Sequence, residues 1–276
     1  SKVRSIVFFS YFCKDNPKSI TKMKRLAILM ALASIIFTQS AFGWGRTGHD
    51  AIACIAERNL TPKAKKTIEK YLGNSIIYYA SWMDEYRRTP EYKHTSAWHM
   101  GDVDENMKST DAVRRPTGDC VAELENAIER LKHYKELDDS TVIVNLKYVI
   151  HLVGDMHCPS HIRYPGLKVK NVVFRGKKQS YHGVWDSGVL NATHDWSYSE
   201  YADHLDRLSK KEIEAISEGT PSDWFEDSAR NCRVIYDWAQ EGSELDRPFL
   251  FEAKALVEDQ ITRAGYRLAR VLNDLF

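Results

Sequence analysis

The stretch "STVIVNLKYVIHLVGDMHCPSH", residues 140–161, is a long apolar segment that ends in three histidines and an aspartate. Eight of the twelve residues from Val142 to Val153 are aliphatic, which is typical of a helix buried on most of its faces. The sequence therefore predicts a helix over residues 140–157. Ser140 is the residue that we expect to cap its N-terminus.

The polar residues of this stretch divide at its proline. His151 and Asp155 are four residues apart, so on a helix both project from one face. Pro159 disfavours helical geometry in the residue before it, so the helix should end there and His161 should point elsewhere. His157 lies about 240° around the helix from His151, at about 100° per residue. We expect His157 either to orient a ligand or only to pack.

Periodic apolar residues and capping signals predict further helices on both sides of this segment. These helices span residues 51–60, 62–72, 120–137, 198–208, 222–240 and 251–275. One extended stretch, residues 168–178, predicts a short hairpin with its turn near Arg175 and Gly176. The simplest arrangement is a single all-α, mostly helical domain with one short β-hairpin.

The N-terminal region has the composition of a leader. Lys24 and Arg25 precede a thirteen-residue apolar run and a small-residue ending at Gly43, which is the order of a secretory signal peptide. The run is too short for a comfortable membrane span. We therefore expect residues 1–22 to be an upstream extension or artefact, residues 23–43 to be the signal peptide and residues 44–276 to be the folded domain.

Charge and cysteine content narrow the classes of function for residues 44–276. Residues 1–43 hold 7 of the 39 Lys and Arg and 1 of the 38 Asp and Glu, which leaves 32 basic and 37 acidic residues and a net charge of about −5. Such a chain is a poor candidate for binding nucleic acid through a basic patch alone, although bound cations would change this. Four cysteines remain, which are too few for a disulfide scaffold. They would allow one disulfide bond, and the sequence does not indicate its pairing.

A second pair with the same spacing occurs at His182 and Asp186, in "HGVWDSG". Upstream, "SWMDEYRR" contributes Asp84 and "SAWHMGD" contributes His99. Imidazole nitrogen and carboxylate oxygen together form a ligand set that suits zinc, whereas an all-oxygen set would indicate calcium or magnesium. The combined pattern predicts a zinc site.

Cleavage after Gly43 would make Trp44 the first residue, with His49 close behind it in "WGRTGH". A free α-amino group together with its own carbonyl can chelate a metal ion. Four other histidines are expected either at the surface or in contact with metal ligands without binding the metal themselves: His94, His133, His194 and His204.

Together these segments resemble the zinc-dependent S1/P1 family of single-strand-specific nucleases and 3'-nucleotidases. The matching motifs are WGxxGH, WxD, the histidine after Trp98, HxxxDxHxPxH, HxxWD and the ending "AGYRLARVLNDLF" at residues 264–276. The resemblance covers nearly all of residues 44–276. It implies a mostly helical domain of the phospholipase C and single-strand nuclease type, with three Zn²⁺ ions in a cleft.

The resemblance also assigns metal ligands. It assigns Asp84, His99, His151 and Asp155 to one zinc ion. The amine and carbonyl of Trp44, with His49 and the other oxygen of Asp155, would hold a close neighbour. His161, His182 and Asp186 would hold a third, more distant ion.

The chemistry that such a site implies is hydrolysis of a phosphodiester. A water bridging the close pair would be acidic enough to attack phosphorus near neutral pH, and the third zinc ion would stabilise the departing 3'-oxygen. The products would carry a 5'-phosphate. Asp84 and Asp155 are then catalytic through the metal ions, whose charge would offset the acidic surface.

Two further positions bear on the substrate. Arg87 lies where the family commonly has a basic residue near the scissile phosphate, which its planar guanidinium could hold. It could equally be a solvated arginine beside Arg88. Met100 lies where the family often has an aromatic residue for stacking a base. The approach to HxxWD departs as well, because Ser180 and Tyr181 replace the usual Asn-Leu.

The expected protein is an exported, monomeric enzyme, secreted or periplasmic after cleavage near Gly43. Its substrates would be single-stranded DNA, RNA and 3'-nucleotides, without a stable protein partner or a membrane. Two alternatives stay open. One is a zinc-dependent phosphodiesterase of the phospholipase C type, and the other is a non-catalytic exported zinc-binding protein.

Overall fold

The computed structural model describes residues 44–194 and 196–276; the predicted leader, residues 1–43, lies outside this part. The described chain is mostly helical, as expected. Helices in its first half are α1 (Arg46–Arg58), α2 (Pro62–Leu72), α3 (Ile76–Tyr79), α4 (Trp82–Tyr86), α5 (Cys120–Lys132) and α6 (Asp139–Asp155). Those in its second half are α7 (Tyr181–Gly183), α8 (Val189–Thr193), α9 (Tyr198–Leu205), α10 (Lys210–Ser217), α11 (Pro221–Cys232), α12 (Ile235–Trp238) and α13 (Arg247–Leu275).

Helix α6 is the central helix. Every residue from Tyr148 to Asp155 is buried, and α6 packs against α1, α4, α5 and α13. Burial on all sides explains why the C-terminal half of the helix is apolar almost throughout. Its N-terminal cap is Asp138, whose carboxylate accepts a hydrogen bond from the Thr141 backbone N–H at 2.9 Å; the expected cap at Ser140 is wrong.

Helix α13 is the longest element and packs mainly on α1. The two helices are in close contact at Gly265, where a Cβ atom would lie 2.6 Å from Cγ2 of Ile55. Only glycine permits this separation, which accounts for the glycine in the C-terminal motif. The helix begins at Arg247, four residues before the predicted start.

Short strands connect the helices. The predicted hairpin is present: β3 (Asn171–Phe174) pairs antiparallel with β4 (Lys177–Ser180), and β5 (Glu244–Leu245) adds to β3 in parallel. Arg175 and Gly176 have φ of 52° and 73°, the left-handed pair that a two-residue hairpin turn requires. Elsewhere β1 (Gly101–Asp102) pairs in parallel with β2 (Ile162–Arg163).

Two expectations at the level of whole elements differ from the structure. The helix expected over 222–240 is broken after Cys232, and the one expected over 120–137 ends at Lys132. The helices that were not expected are α3, α4, α7, α8 and α10. The cysteines form no disulfide within the described residues: Cys54, Cys120, Cys158 and Cys232 are all free and buried. Among these residues no helix is long and apolar enough to span a bilayer.

Candidate metal centre

Asp155 is the centre of a buried cluster of histidines. Its Oδ2 lies 2.8 Å from Nδ1 of His99 and 3.0 Å from Nε2 of His151. Its Oδ1 lies 3.2 Å from Nδ1 of His161 and 3.5 Å from Nε2 of His49. One carboxylate with 0% exposed surface therefore faces two imidazoles with each oxygen. A carboxylate placed in this way is suited to bind cations with both of its oxygens.

Asp84 approaches the same cluster from α4. Its Oδ1 lies 3.6 Å from Nδ1 of His99, and its Oδ2 lies 4.0 Å from Nε2 of His49. Helix α4 also places Arg87 just after its last residue, where Nη2 lies 3.4 Å from Oδ1 of Asp84. The structure thus brings the predicted catalytic aspartates and Arg87 together at one place.

The third group lies beyond the end of α6. Pro159 begins a 3₁₀ turn, Pro159–His161, so the chain leaves the helix as expected. Nε2 of His161 lies 3.6 Å from Oδ1 of Asp186, and Nε2 of His182 lies 3.0 Å from Oδ2 of the same carboxylate. The rings of His161 and His182 are stacked, with centroids 5.0 Å apart. His182 is the most open of these side chains, with 24% of its surface exposed.

Two short strands place the histidines that come from distant segments. Strand β1 follows His99 by one residue and β2 follows His161 directly, and Gly101 pairs with Ile162. Because the strands are parallel and in register, the segment that holds His99 and Met100 runs alongside the segment that ends in His161. The two histidines consequently reach opposite oxygens of Asp155.

The start of the described chain lies against the third group. The backbone N–H of Gly45 donates to the carbonyl of Asp186 at 2.6 Å, and Trp44 is fully buried. A Cβ atom on Gly45 would lie 2.1 Å from Oγ of Ser187. The adjacent helix α1 carries His49, whose ring stacks on His151 with centroids 4.0 Å apart.

The residues fit a metal ion because buried polar atoms point at one another without hydrogen-bond partners. These atoms are Nε2 of His49, Oδ1 of Asp84, Nε2 of His99, Oδ1 of Asp155, both ring nitrogens of His161 and Oδ2 of Asp186. A buried polar group without a partner costs about 1–3 kcal/mol, which cation binding would recover. Three residue sets converge closely enough for an ion: His49, His151 and Asp155; Asp84, His99 and His151; Cys158, His161 and Asp186.

Burial and neighbouring charges shift the pKa values of the imidazoles in different directions. Burial lowers the pKa of His49 and of His99, which keeps both neutral. Burial also opposes protonation of His161, but the carboxylates of Asp155 and Asp186 outweigh it and raise its pKa to about 10. His161 must therefore release a proton before it can bind a metal ion.

Comparison with known proteins agrees with this geometry. The family model S1/P1 Nuclease matches residues 44–276. The chain belongs to the S1/P1 nuclease family. It is 23% identical to Nuclease S1 of Aspergillus oryzae over 285 residues, covering 91% of this chain and 98% of that protein. It is 24% identical to Endonuclease 2 of Arabidopsis thaliana (93% and 100% covered) and 26% identical to Nuclease P1 of Penicillium citrinum (84% and 97% covered).

Family membership makes the chain a nuclease, a hydrolase that acts on nucleic acid. It also confirms the mainly helical fold class. The S1/P1 nuclease family is metal-dependent, and the clusters of His and Asp in this chain are suited to metal ions. The assignment of individual residues to individual ions, and the boundaries 1–22, 23–43 and 44–276, stay predictions.

Two predicted positions of this S1/P1 nuclease lie at the edge of the cluster or away from it. Met100 follows His99 and is half-buried, with its sulfur 3.0 Å from Nη2 of Arg163. His157 faces away: its Nδ1 donates to the carbonyl of Val153 at 2.7 Å, and its Nε2 accepts from Nη1 of Arg267 at 2.8 Å. His157 therefore packs against α13 and orients no ligand.

Cys158 and Ser160 were not expected in the site. Sγ of Cys158 lies 3.5 Å from Oδ1 of Asp186, and Oγ of Ser160 donates to that oxygen at 3.0 Å. The spacing of Cys158 and His161, with two residues between them, is a common chelating pattern that could have indicated the thiol.

Proposed function

We propose that the chain is an exported, zinc-dependent endonuclease that cleaves single-stranded DNA and RNA to products with 5'-phosphates, and that it also acts on 3'-nucleotides. The single observation that carries the proposal is the fully buried carboxylate of Asp155, which faces histidines with both of its oxygens. The nuclease relatives support the class of reaction.

The residues that would hold zinc follow the three groups. Asp84, His99, His151 and Asp155 would hold one ion, and Trp44, His49 and Asp155 a second. His161, His182 and Asp186 would hold the third. Bound zinc supplies Lewis acidity and makes a coordinated water acidic enough to lose a proton near neutral pH.

The protein's contribution is orientation and charge. Nδ1 of His151 donates to the carbonyl of Ala80 at 2.7 Å, which fixes the tautomer and leaves Nε2 as the ligand atom. Asp84 holds the guanidinium of Arg87 near the cluster, where that cation would bind phosphate oxygens. Met100 would offer an apolar surface to an unstacked base, and His182 is the most open of the proposed ligands.

The test compares substrates on metal-counted protein. We expect release of acid-soluble nucleotides from denatured DNA and from RNA, much slower release from duplex DNA, and phosphate release from a 3'-nucleotide. A chelator should abolish all of these activities and zinc should restore them. Cleavage of a choline phospholipid alone would favour the phospholipase C alternative, and about three zinc ions without any hydrolysis would favour a storage protein.

The proposed terminal ligand has its own test. A protein that begins at Trp44 is compared with one that carries a single extra residue before Trp44. Because an amide nitrogen is a far weaker ligand than an amine, we expect the extended protein to lose one zinc ion of the close pair. Equal zinc content in both proteins would rule out the terminal amine.

A further inference from the structure

The side chain of Cys158 lies at a metal-binding distance from the third group. Its Sγ is 3.5 Å from Oδ1 of Asp186, and the thiol, a ring nitrogen of His161 and a carboxylate oxygen of Asp186 all lie within 4.8 Å of one another. Zn–S bonds are about 2.3 Å and Zn–O bonds about 2.0 Å, so sulfur and oxygen on one tetrahedral zinc ion lie about 3.5 Å apart. The observed separation equals this value.

Unpartnered atoms in the same place point to a ligand independently of the cysteine. Nε2 of His161 and Oδ2 of Asp186 are buried without hydrogen-bond partners, and their residues are 1% and 3% exposed. Nε2 of His161 lies 3.6 Å from Oδ1 of Asp186, close to the spacing of about 3.3 Å expected for nitrogen and oxygen on one tetrahedral zinc ion. The three residues therefore outline a site that one cation would fill.

The backbone conformation around Pro159 brings Cys158 close to Asp186. Cys158 is extended, with φ −73° and ψ 123°, because Pro159 follows it. The 3₁₀ turn then folds back, and the His161 backbone N–H donates to the Cys158 carbonyl at 3.0 Å. The turn brings the thiol and the imidazole to the same carboxylate.

A role for the thiol as hydrogen-bond donor alone explains less. Oδ1 of Asp186 already accepts a hydrogen bond from Oγ of Ser160 at 3.0 Å. The S–H group is a weak second donor, and Oγ of Ser160 already positions the carboxylate. An apolar packing role is also a poor match, because the sulfur faces a hydroxyl and a carboxylate.

We propose that Cys158, as a thiolate, is a fourth protein ligand of the metal ion bound by His161, His182 and Asp186. The inference rests on the proposed function, which places an ion there. On binding, the S–H bond breaks, a sulfur–metal bond forms and the proton passes to solvent. The thiolate adds negative charge and a soft donor, so this ion is bound more tightly and is a weaker Lewis acid than one held by nitrogen and oxygen alone.

A fourth protein ligand would change how a substrate oxygen can bind the third ion. Four protein ligands leave a tetrahedral ion no open position, whereas catalytic zinc sites keep one. A substrate oxygen would then bind at this site only as a fifth ligand. In its resting state the third site would resemble a closed structural zinc site.

Cobalt(II) is the probe, because thiolate ligands give it an intense near-ultraviolet charge-transfer absorption that nitrogen and oxygen ligands do not. Metal-free protein is titrated with cobalt(II) while absorbance and bound metal are measured. We expect the thiolate band in the wild type and its loss in Cys158→Ser. We also expect the third ion to bind at least about tenfold more weakly in that variant.

Matched variants separate the thiol from its surroundings. Cys54→Ala removes another cysteine, and Ser160→Ala removes the hydrogen bond to Asp186; both should keep the band. If circular dichroism shows that Cys158→Ser does not fold, a variant that retains Cys158 as the sole cysteine of residues 44–276 should still show the band.

The outcomes distinguish this inference from the proposed function. Three bound cobalt ions without a thiolate band in the wild type would overturn the role of Cys158 and leave the nuclease proposal standing. A band that disappears in Cys54→Ala would overturn it as well. Failure to bind any cobalt would overturn both, because no metal site would remain.

Discussion

Two pairs of residues with the same spacing end in different surroundings. His151 and Asp155 lie on the regular helix α6, and His182 and Asp186 lie on α7 and the π-helical turn Val184–Gly188. The Nε2 to Oδ2 distance is 3.0 Å in both pairs. The side chains of the first pair are 0% exposed, whereas His182 is 24% exposed.

The comparison separates what spacing determines from what packing determines. A separation of four residues brings an imidazole to a carboxylate in an α-helix and equally across the start of a π-helix. Solvent access depends instead on the neighbours: the C-terminal half of α6 is buried on all sides, and the second pair lies at the end of a hairpin. The first pair is therefore suited to hold ions rigidly, and the second to meet a substrate.

The largest expected effect distinguishes the two aspartates. If Asp155 serves two ions and Asp186 one, Asp155→Asn should remove both ions of the close pair, and Asp186→Asn only the third. Metal ions supply several kcal/mol of transition-state stabilisation, so Asp155→Asn should lower kcat/KM on the order of 10³-fold. Zinc content and hydrolysis of denatured DNA measure both effects.

Stability provides the control for this prediction. Asn keeps the volume of Asp155, and His161 can release the proton that the carboxylate stabilises, so unfolding of the metal-free protein should change far less than activity. Retained turnover in Asp155→Asn would contradict the shared carboxylate. Equal metal loss in the two variants would remove the distinction between the sites.

A second test truncates the two histidines. His151→Ala leaves the buried carbonyl of Ala80 without its donor and opens a cavity beneath the ring of His49. We expect it to lower the free energy of unfolding of the metal-free protein by about 3 kcal/mol. His182→Ala removes a partly exposed ring and should cost less than about 1 kcal/mol. Urea denaturation in the presence of a chelator measures both, and equal costs would show that burial does not distinguish the pairs.

Local sequence predicted the parts of this site that depend on neighbours along the chain. The face shared by His151 and Asp155, the break at Pro159 and the turn at Arg175 and Gly176 all follow from helix periodicity and backbone restrictions. The family resemblance supplied the grouping of the ligands. No local rule could have supplied that grouping, because His49, His99 and His161 come from three distant segments.

Features that depend on tertiary contacts were not predictable. The pairing of Gly101 with Ile162, which brings the segment of His99 alongside that of His161, joins strands too short to give a pattern. The π-helical turn is held by Gly45, whose N–H reaches Asp186 from far along the chain. Ser140 and Asp138 both carry side chains that can cap a helix, so the local sequence does not distinguish them. In the structure it is Asp138 that accepts the hydrogen bond from the Thr141 backbone N–H.

A third test compares the glycines inside the two pairs. Gly154 lies one residue before Asp155, and a Cβ atom there would be 2.7 Å from Nδ1 of His49. Gly154→Ala should therefore displace His49, with an overpacking cost of about 1–3 kcal/mol that exceeds the gain in helix propensity. Gly183 follows His182, and a Cβ atom there meets only Oγ of Ser180, at 3.0 Å.

Gly183→Ala is accordingly the matched control. Its φ of −65° suits any residue, and we expect near-wild-type stability and metal content. Gly154→Ala should lower zinc affinity at the close pair and leave the third ion in place. Wild-type zinc content in Gly154→Ala would show that the close pair tolerates movement of His49.

The smallest expected effect concerns His157, which belongs to neither pair. Burial and the adjacent guanidinium of Arg267 hold its pKa well below the ordinary value, so it is neutral in the folded protein. In the unfolded chain it gains a proton as pH falls through about 6.5, which favours unfolding. From pH 7.5 to 5.0 the metal-free wild type should lose about 2 kcal/mol of stability through this residue alone.

The glutamine of His157→Gln cannot titrate. From pH 7.5 to 5.0 the free energy of unfolding of this variant should therefore fall by about 2 kcal/mol less than that of the wild type. The exposed His133 provides the control: His133→Gln should keep the pH dependence of the wild type. Urea denaturation of all three proteins at the two pH values, with chelator present, measures the difference. If wild type and His157→Gln lose stability in parallel, the acid sensitivity belongs to the proposed ligand histidines instead. The stretch from His151 to His161 would then contain no histidine that affects stability separately from the metal centre.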